Sequence, residues 1–361
     1  MSNSIQRRKT MKTDTLASAI KLISKITHPS SIVPLYRSVE IGSERARACS
    51  EAGNIEITIG ETGLEQPALL DFTAVQGVLN SLPQSAEMYL SRQGNCVLWE
   101  TDFASGSWKT VHQEHRIPIL THYTHPWKPP RDFASAVVAA ALAVEGATLS
   151  AGMYGLLIER TESGLQLLSC NSTSLAAVTV PVADFPAGKI TLRPPVPAVL
   201  VGILCAHQDI TLDVTDGQIC VQGDWITAQL PISPQLEHDL FAIADGYSRV
   251  RSVVKISRMA LVRALKRAIS LTPRNERSMV ELSLDAGTLV VRHKTTGSSG
   301  ETVILAEGID PSTKFLPVEF QTEQLLIPIQ HIDSVCLDYL PQRRLVLLGE
   351  SPDFRFIVSG R

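Results

Sequence analysis

Four histidines, His112, His115, His122 and His125, crowd the stretch that runs into the proline-rich segment HPWKPP. Neutral imidazoles bind zinc only when an element holds them at fixed separation. No helical or knuckle-type spacing joins these four, so no metal site is expected. Cys170 is a potential nucleophile, but such a thiol needs a base within reach and no recognised local signature surrounds it. The run Lys294 to Gly300, KTTGSSG, has the composition of a phosphate loop without the GxxxxGK[ST] order, and it reads better as a hairpin connection. No paired carboxylates stand out for acid-base work. These residues point away from catalysis and from any cofactor, with a Cys/His hydrolase as the distant alternative.

Cations at helical spacing form a second set. Lys21 and Lys25 lie opposite an apolar face formed by Leu16, Ala19, Ile20, Ile23 and Ile26. Arg263, Lys266 and Arg267 lie opposite Leu261, Val262, Leu265, Ala268, Ile269 and Thr272. Two further helical segments, Ala134 to Val144 and Val196 to Ala206, contain no basic residue and are only flanked by Arg131 and Arg193. Such faces are either ordinary solvated surface or contacts to a polyanion.

The elements that carry these residues recur. A helix from Leu16, with Asp14 or Thr15 as its expected N-cap, ends at His28-Pro29. Strand-like segments follow at Val33 to Ile41 and Ile55 to Ile59, then a helix at Phe72 to Leu82. A hairpin at Ala86 to Thr101 turns at Gln93-Gly94-Asn95. The order returns with the Ala134 helix, a hairpin over Leu156 to Leu168, the Val196 helix and a hairpin turning at Asp216-Gly217. It returns again from Arg258, with VELSLDAGTLVVR, a helix from Thr322 to Ile332 that contains Pro328, and DSVCLDYLPQRRLVLLG. The closing hairpins recur about every 123 residues, a spacing suited to whole domains. An α+β chain of three similar domains is therefore expected, at 1-126, 127-250 and 251-361, each with two helices packed on antiparallel sheets. Between the middle hairpin and the next strand, Cys170 to Leu175 reads as an exposed loop.

Bulk properties agree. A chain of 361 residues with 44% hydrophobic and 19% charged residues can bury several cores. Six scattered cysteines without CxxC pairs suggest neither a zinc ribbon nor a disulfide scaffold. The net charge of -3 excludes a generally basic coat for nucleic acid but not a local basic surface. No apolar run approaches the roughly 20 residues of a membrane span, and the basic N-terminus lacks an h-region. A cytoplasmic protein without membrane contact is expected.

The order and spacing of LASAIKLISKIT, SSIVPLYRSVEI, LLDFTAVQGVLNSLP, GMYGLLIE, LLSCNSTSLAAVTVPV and DITLDVTDGQICVQGDWITAQL resemble the bacterial DNA sliding clamp, the beta subunit of DNA polymerase III. The resemblance covers nearly the whole chain and implies a DNA-clamp fold, closed head to tail by two chains into a ring. It implies a processivity factor that encircles double-stranded DNA and has no catalytic site. The DNA-facing residues would be Lys21, Lys25, Arg131, Arg193, Arg263, Lys266 and Arg267. A pocket for short peptides of the polymerase, the clamp loader and other clients would take in Met153, Thr173, Ser174, Leu175, Pro234, Phe241, Phe356 and Val358. Trp108 and Leu271 would lie at the homodimer interface. Where the family has Thr-Asp-Gly-His-Arg-Leu, this chain has Cys170-Asn171-Ser172-Thr173-Ser174-Leu175, and it lacks the usual Met-Pro-Met ending. A divergent clamp-like protein serving one dedicated partner, on a mobile element or as a decoy, is the second reading.

Overall fold

The computed structural model describes residues 10–111, 117–118, 125–144, 155–171, 173–182, 184–206, 209–215, 217–234, 254–285, 287–307, 315–330, 335–340, 344–348 and 354–360. Six α-helices and 23 strands fall within them, and every strand pairing is antiparallel. The helices are α1 Thr13–Ile23, α2 Phe72–Ser81, α3 Arg131–Ala141, α4 Val196–Ala206, α5 Arg258–Leu271 and α6 Thr322–Gln330.

Three times the chain runs helix, three strands, a further strand, helix, three strands. The opening trios are β2 Ser38–Ile41, β3 Arg45–Ser50 and β4 Gly53–Thr58; β9 Gly155–Thr161, β10 Gly164–Cys170 and β11 Ser174–Val180; and β17 Met279–Asp285, β18 Thr288–Lys294 and β19 Ser299–Glu307. The single strands are β5 Ala68–Asp71, β12 Lys189–Leu192 and β20 Phe315–Gln321. Each pairs with the first strand of its own trio, β5 with β2, β12 with β9 and β20 with β17. The closing trios are β6 Glu87–Gln93, β7 Cys96–Glu100 and β8 Ser105–Lys109; β13 Ile210–Val214, β14 Gln218–Gly223 and β15 Ile226–Pro231; and β21 Val335–Leu340, β22 Arg344–Leu348 and β23 Phe354–Ser359. Even the short leading segments correspond. β1 (Met11–Lys12) pairs with β6, Trp127 bridges to Leu212 of β13, and β16 (Val254–Ile256) pairs with β21.

The backbone divides into two compact units, Met1–Pro129 with Pro194–Ser233, and Pro130–Arg193 with Pro234–Arg361. In the first, the middle repeat's closing trio extends the first repeat's opening trio through β15 and β4, giving the order β13-β14-β15-β4-β3-β2-β5. In the second, β11 joins β23, giving β12-β9-β10-β11-β23-β22-β21-β16-β19-β18-β17-β20. Helices cover these sheets with their apolar faces: Leu16, Ala19, Ile20 and Ile23 of α1, and Leu261, Ala264, Leu265 and Ala268 of α5, are buried. Within the first unit α1 packs on α4, and Gly202 leaves room for Leu22, whose Cδ1 would lie 2.9 Å from any added Cβ.

Several expectations change. Neither Asp14 nor Thr15 caps α1. The helix starts earlier, at Thr13, whose hydroxyl donates to the Pro83 and Gln84 carbonyls and so pins the first turn to the end of α2. Val33 to Ile41 is only partly a strand, because Pro34 opens a 3-10 turn over Pro34–Arg37. The N-cap of α2 is Asp71, which accepts from the Ala74 N–H at 3.0 Å. Pro328 sits in the last turn of α6, where it has no N–H to give the Gln324 carbonyl one turn back, and the helix ends two residues later at Gln330. Arg258 donates to the Ile329 and Gln330 carbonyls that end it.

Candidate functional site

The cationic helix faces are open. Lys21 and Lys25 are exposed at the C-terminal end of α1, and Arg263, Lys266 and Arg267 are exposed along α5. Among the described residues none of these five forms an ion pair, whereas Arg45, Arg47, Lys189 and Arg292 on the sheets are each bound to glutamates. Unpaired cations on a helix face keep their attraction for an anion in solution, and paired ones largely spend it. Arg131 is exposed at the start of α3. Arg193 is half-buried after β12, and its Nε is enclosed without a hydrogen-bond partner.

The expected peptide-site residues come together at the joint of β11 and β23, but in two layers. Ser174 lies opposite Val358, Leu175 opposite Ile357 and Ala176 opposite Phe356. Directly opposed residues share a face and successive residues alternate, so Leu175 and Ile357 stand on one side. Ser174, Phe356 and Val358 stand on the other. All are buried, Leu175 at 6% and Ile357 at 5% exposure. The loop expected over Cys170 to Leu175 is correspondingly short. Cys170 pairs with Leu175 as the last rung of the β10-β11 hairpin, so Cys170, Ser174 and Leu175 belong to strands, and Asn171 and Thr173 are half-buried in the turn. Pro234 is exposed, and Met153 and Phe241 lie outside the described residues.

Of the two residues expected at a homodimer interface, Trp108 is buried at 3% exposure, its ring centroid 6.0 Å from that of Trp99. Leu271 is 44% exposed at the end of α5, and its carbonyl accepts from Ser298 just before β19. β8 and β19 are among the strands that keep an open edge among the described residues. β8 pairs only with β7, and β19 pairs with β18 along its length but with β16 only at Ala306 and Glu307. Phe103 near β8, and Val303 and Leu305 on β19, are exposed at 69%, 57% and 78%.

Solved structures share this arrangement over full length. DNA polymerase III beta subunit from Thermotoga maritima superposes with a TM-score of 0.73 at 14% identity, covering 98% of this chain and 99% of that chain. The DNA polymerase sliding clamp from Bacillus subtilis gives 0.72 at 14% identity, covering 98% of each. The DNA polymerase III subunit beta from Pseudomonas aeruginosa gives 0.69 at 13%, covering 98% and 99%. The chain has the sliding-clamp fold. No protein-family model and no curated protein matches the sequence.

On this sliding-clamp fold the candidate nucleophile is unsuited to attack. Burial pushes the Cys170 thiol up to about 11, which leaves it protonated at neutral pH. His125 offers its backbone N–H to Asp213 at 3.3 Å, while His112, His115 and His122 lie outside the described residues. Of Lys294 to Gly300, only Thr295 to Ser298 connects β18 and β19, in a tight turn closed by the Thr295 N–H donating to the Ser298 carbonyl at 2.7 Å. Two neighbours of these residues carry no local signal in the sequence. Ile357 differs from its neighbours only in strand parity, and Gln324 of α6 donates to Thr173 across 151 residues of sequence.

Proposed function

We propose that the protein is a sliding clamp: a head-to-tail pair of chains that encloses duplex DNA and tethers a polymerase to it. One observation carries the reading. Two of the joints between repeats are equivalent, β4 with β15 and β11 with β23, each uniting the third strand of an opening trio with the third strand of a closing trio. The third such joint has both halves, since β19 and β8 are the corresponding strands, and among the described residues they do not pair with each other. A second copy supplies what is missing, β19 of one chain against β8 of the next, a heterologous contact that closes into a ring.

In such a ring α1 and α5 of both chains turn Lys21, Lys25, Arg263, Lys266 and Arg267 to the duplex, with Arg131 and Arg193 in support. These cations hold phosphates without reading bases, so the clamp slides. Retention is topological and needs no catalytic residue or cofactor, and opening falls to a loader ATPase. The joint of β11 and β23, around Leu175 and Ile357, receives the clients, the polymerase and the loader. A dedicated partner in place of the usual clients is the second reading, favoured by the Asn171-Ser172-Thr173-Ser174 sequence of the turn.

Sedimentation equilibrium tests the closure. The wild-type chain is expected at twice its monomer mass at micromolar concentration, and the Val303→Lys, Leu305→Lys double variant at the monomer mass. A wild-type monomer, or a double variant that stays dimeric, overturns closure through β19.

A further inference from the structure

The turn that leads into β11 is tied to the third repeat by a directed chain of hydrogen bonds. The Asn171 N–H donates to the Ser174 carbonyl at 2.8 Å, closing the turn. The Asn171 side-chain carbonyl accepts from the Thr173 and Ser174 backbone N–H groups at 2.8 and 2.7 Å, and from the Thr173 hydroxyl at 3.1 Å. Having given its proton to Asn171, the Thr173 oxygen accepts from Gln324 Nε2 at 2.7 Å. Donors and acceptors therefore run one way, from Gln324 through Thr173 to Asn171, and each bond polarises the next. Two residues beyond Thr173, Leu175 lies opposite Ile357.

We propose that Gln324 is a positioning residue for client binding: from α6 it fixes Thr173 and Asn171, and so holds the start of β11 in the conformation that receives a client peptide. This rests on the reading of Leu175 and Ile357 as the peptide site. The residues involved are those by which the turn departs from its family. Asn171 stands in place of Asp and Thr173 in place of His. The last rung is held by β9 and β23, but Asn171 and Thr173 lie beyond the strand ladders, where backbone opens most readily unless it is tied. Without the Gln324 bond the competent conformation becomes a minor one, and the apparent Kd rises in inverse proportion to its population.

Fluorescence anisotropy with a short fluorescein-labelled peptide ending in Leu-Phe, apolar anchors suited to Leu175 and Ile357, gives the test. Gln324→Leu and Thr173→Val are each expected to raise Kd about tenfold, corresponding to a competent fraction near one tenth. The double variant should be no weaker than either single one, because both remove the same bond. Thr173→Ser keeps the hydroxyl and should bind as the wild type does. Hydrogen exchange at the Thr173 and Ser174 amides supplies a readout independent of the peptide, expected to quicken in Gln324→Leu and Thr173→Val but not in Thr173→Ser. Unchanged affinity and exchange in Gln324→Leu would overturn the positioning role while leaving the peptide site standing. Absence of binding by the wild-type protein would overturn the peptide-site reading, and the positioning role with it.

Discussion

Burial raises the thiols of Cys49, Cys170 and Cys220 to about 11 each, with Glu40 adding to the effect at Cys49 and Asp213 at Cys220. Since the thiolate is the nucleophile, only about one such thiol in a thousand is reactive at pH 8. Pulse alkylation followed by mass spectrometry should therefore label exposed Cys205 first. These three cysteines should resist until the pH nears 11 or the chain unfolds. Glycine has a different constraint at Gly164, where φ is +135° and an added Cβ would lie 2.2 Å from the Val180 carbonyl oxygen. Gly164→Ala is expected to lose about 2–3 kcal/mol in denaturant titration, from left-handed strain and displacement of β11. Single residues were legible in the sequence where they mark a local feature, as the Gln93-Gly94-Asn95 turn does. Ile357 was not, because its face depends on the pairing with Leu175, which no neighbouring residue encodes.

At the scale of the element, the cations of α5 act together. Replacing Arg263, Lys266 and Arg267 by Gln should reduce the slope of log K against log salt for duplex binding by about 0.9 for each phosphate no longer neutralised, so by roughly 2.7 for each chain and roughly 5.4 for a ring of two. Titrations at several salt concentrations measure this. An unchanged slope would place α5 away from the duplex. Helices and hairpins were legible because their periods are local: the Phe72 to Leu82 helix differs from α2 by one residue, and Val196 to Ala206 matches α4. The strands β3, Arg45–Ser50, and β8, Ser105–Lys109, went unread. In RARACS the inward positions are only alanine and cysteine, and in SGSWK only Trp108 is both large and buried. Their strand character comes from partners already in the sheet, β2 and β4 for the first and β7 for the second.

For the whole molecule, the threefold recurrence of elements turns an unpaired edge into information. Three repeats offer three joints, and among the described residues one chain closes two of them, through β4 with β15 and β11 with β23. Exposed Val303 and Leu305 beside the open edge of β19 are what a lone chain would be expected to hide. The repeat itself was legible in the sequence, since hairpin signals recur at a fixed spacing. Which strands join across repeats was not, because it depends on contacts between distant segments. Enclosure of the duplex is a topological property, and the most direct measurement follows the protein on DNA. After loading onto nicked circular DNA, the protein should co-elute with the circle through gel filtration at moderate salt, and it should be lost when a restriction enzyme linearises that DNA. Equal retention on circular and linear DNA, or equal loss from both, would contradict enclosure.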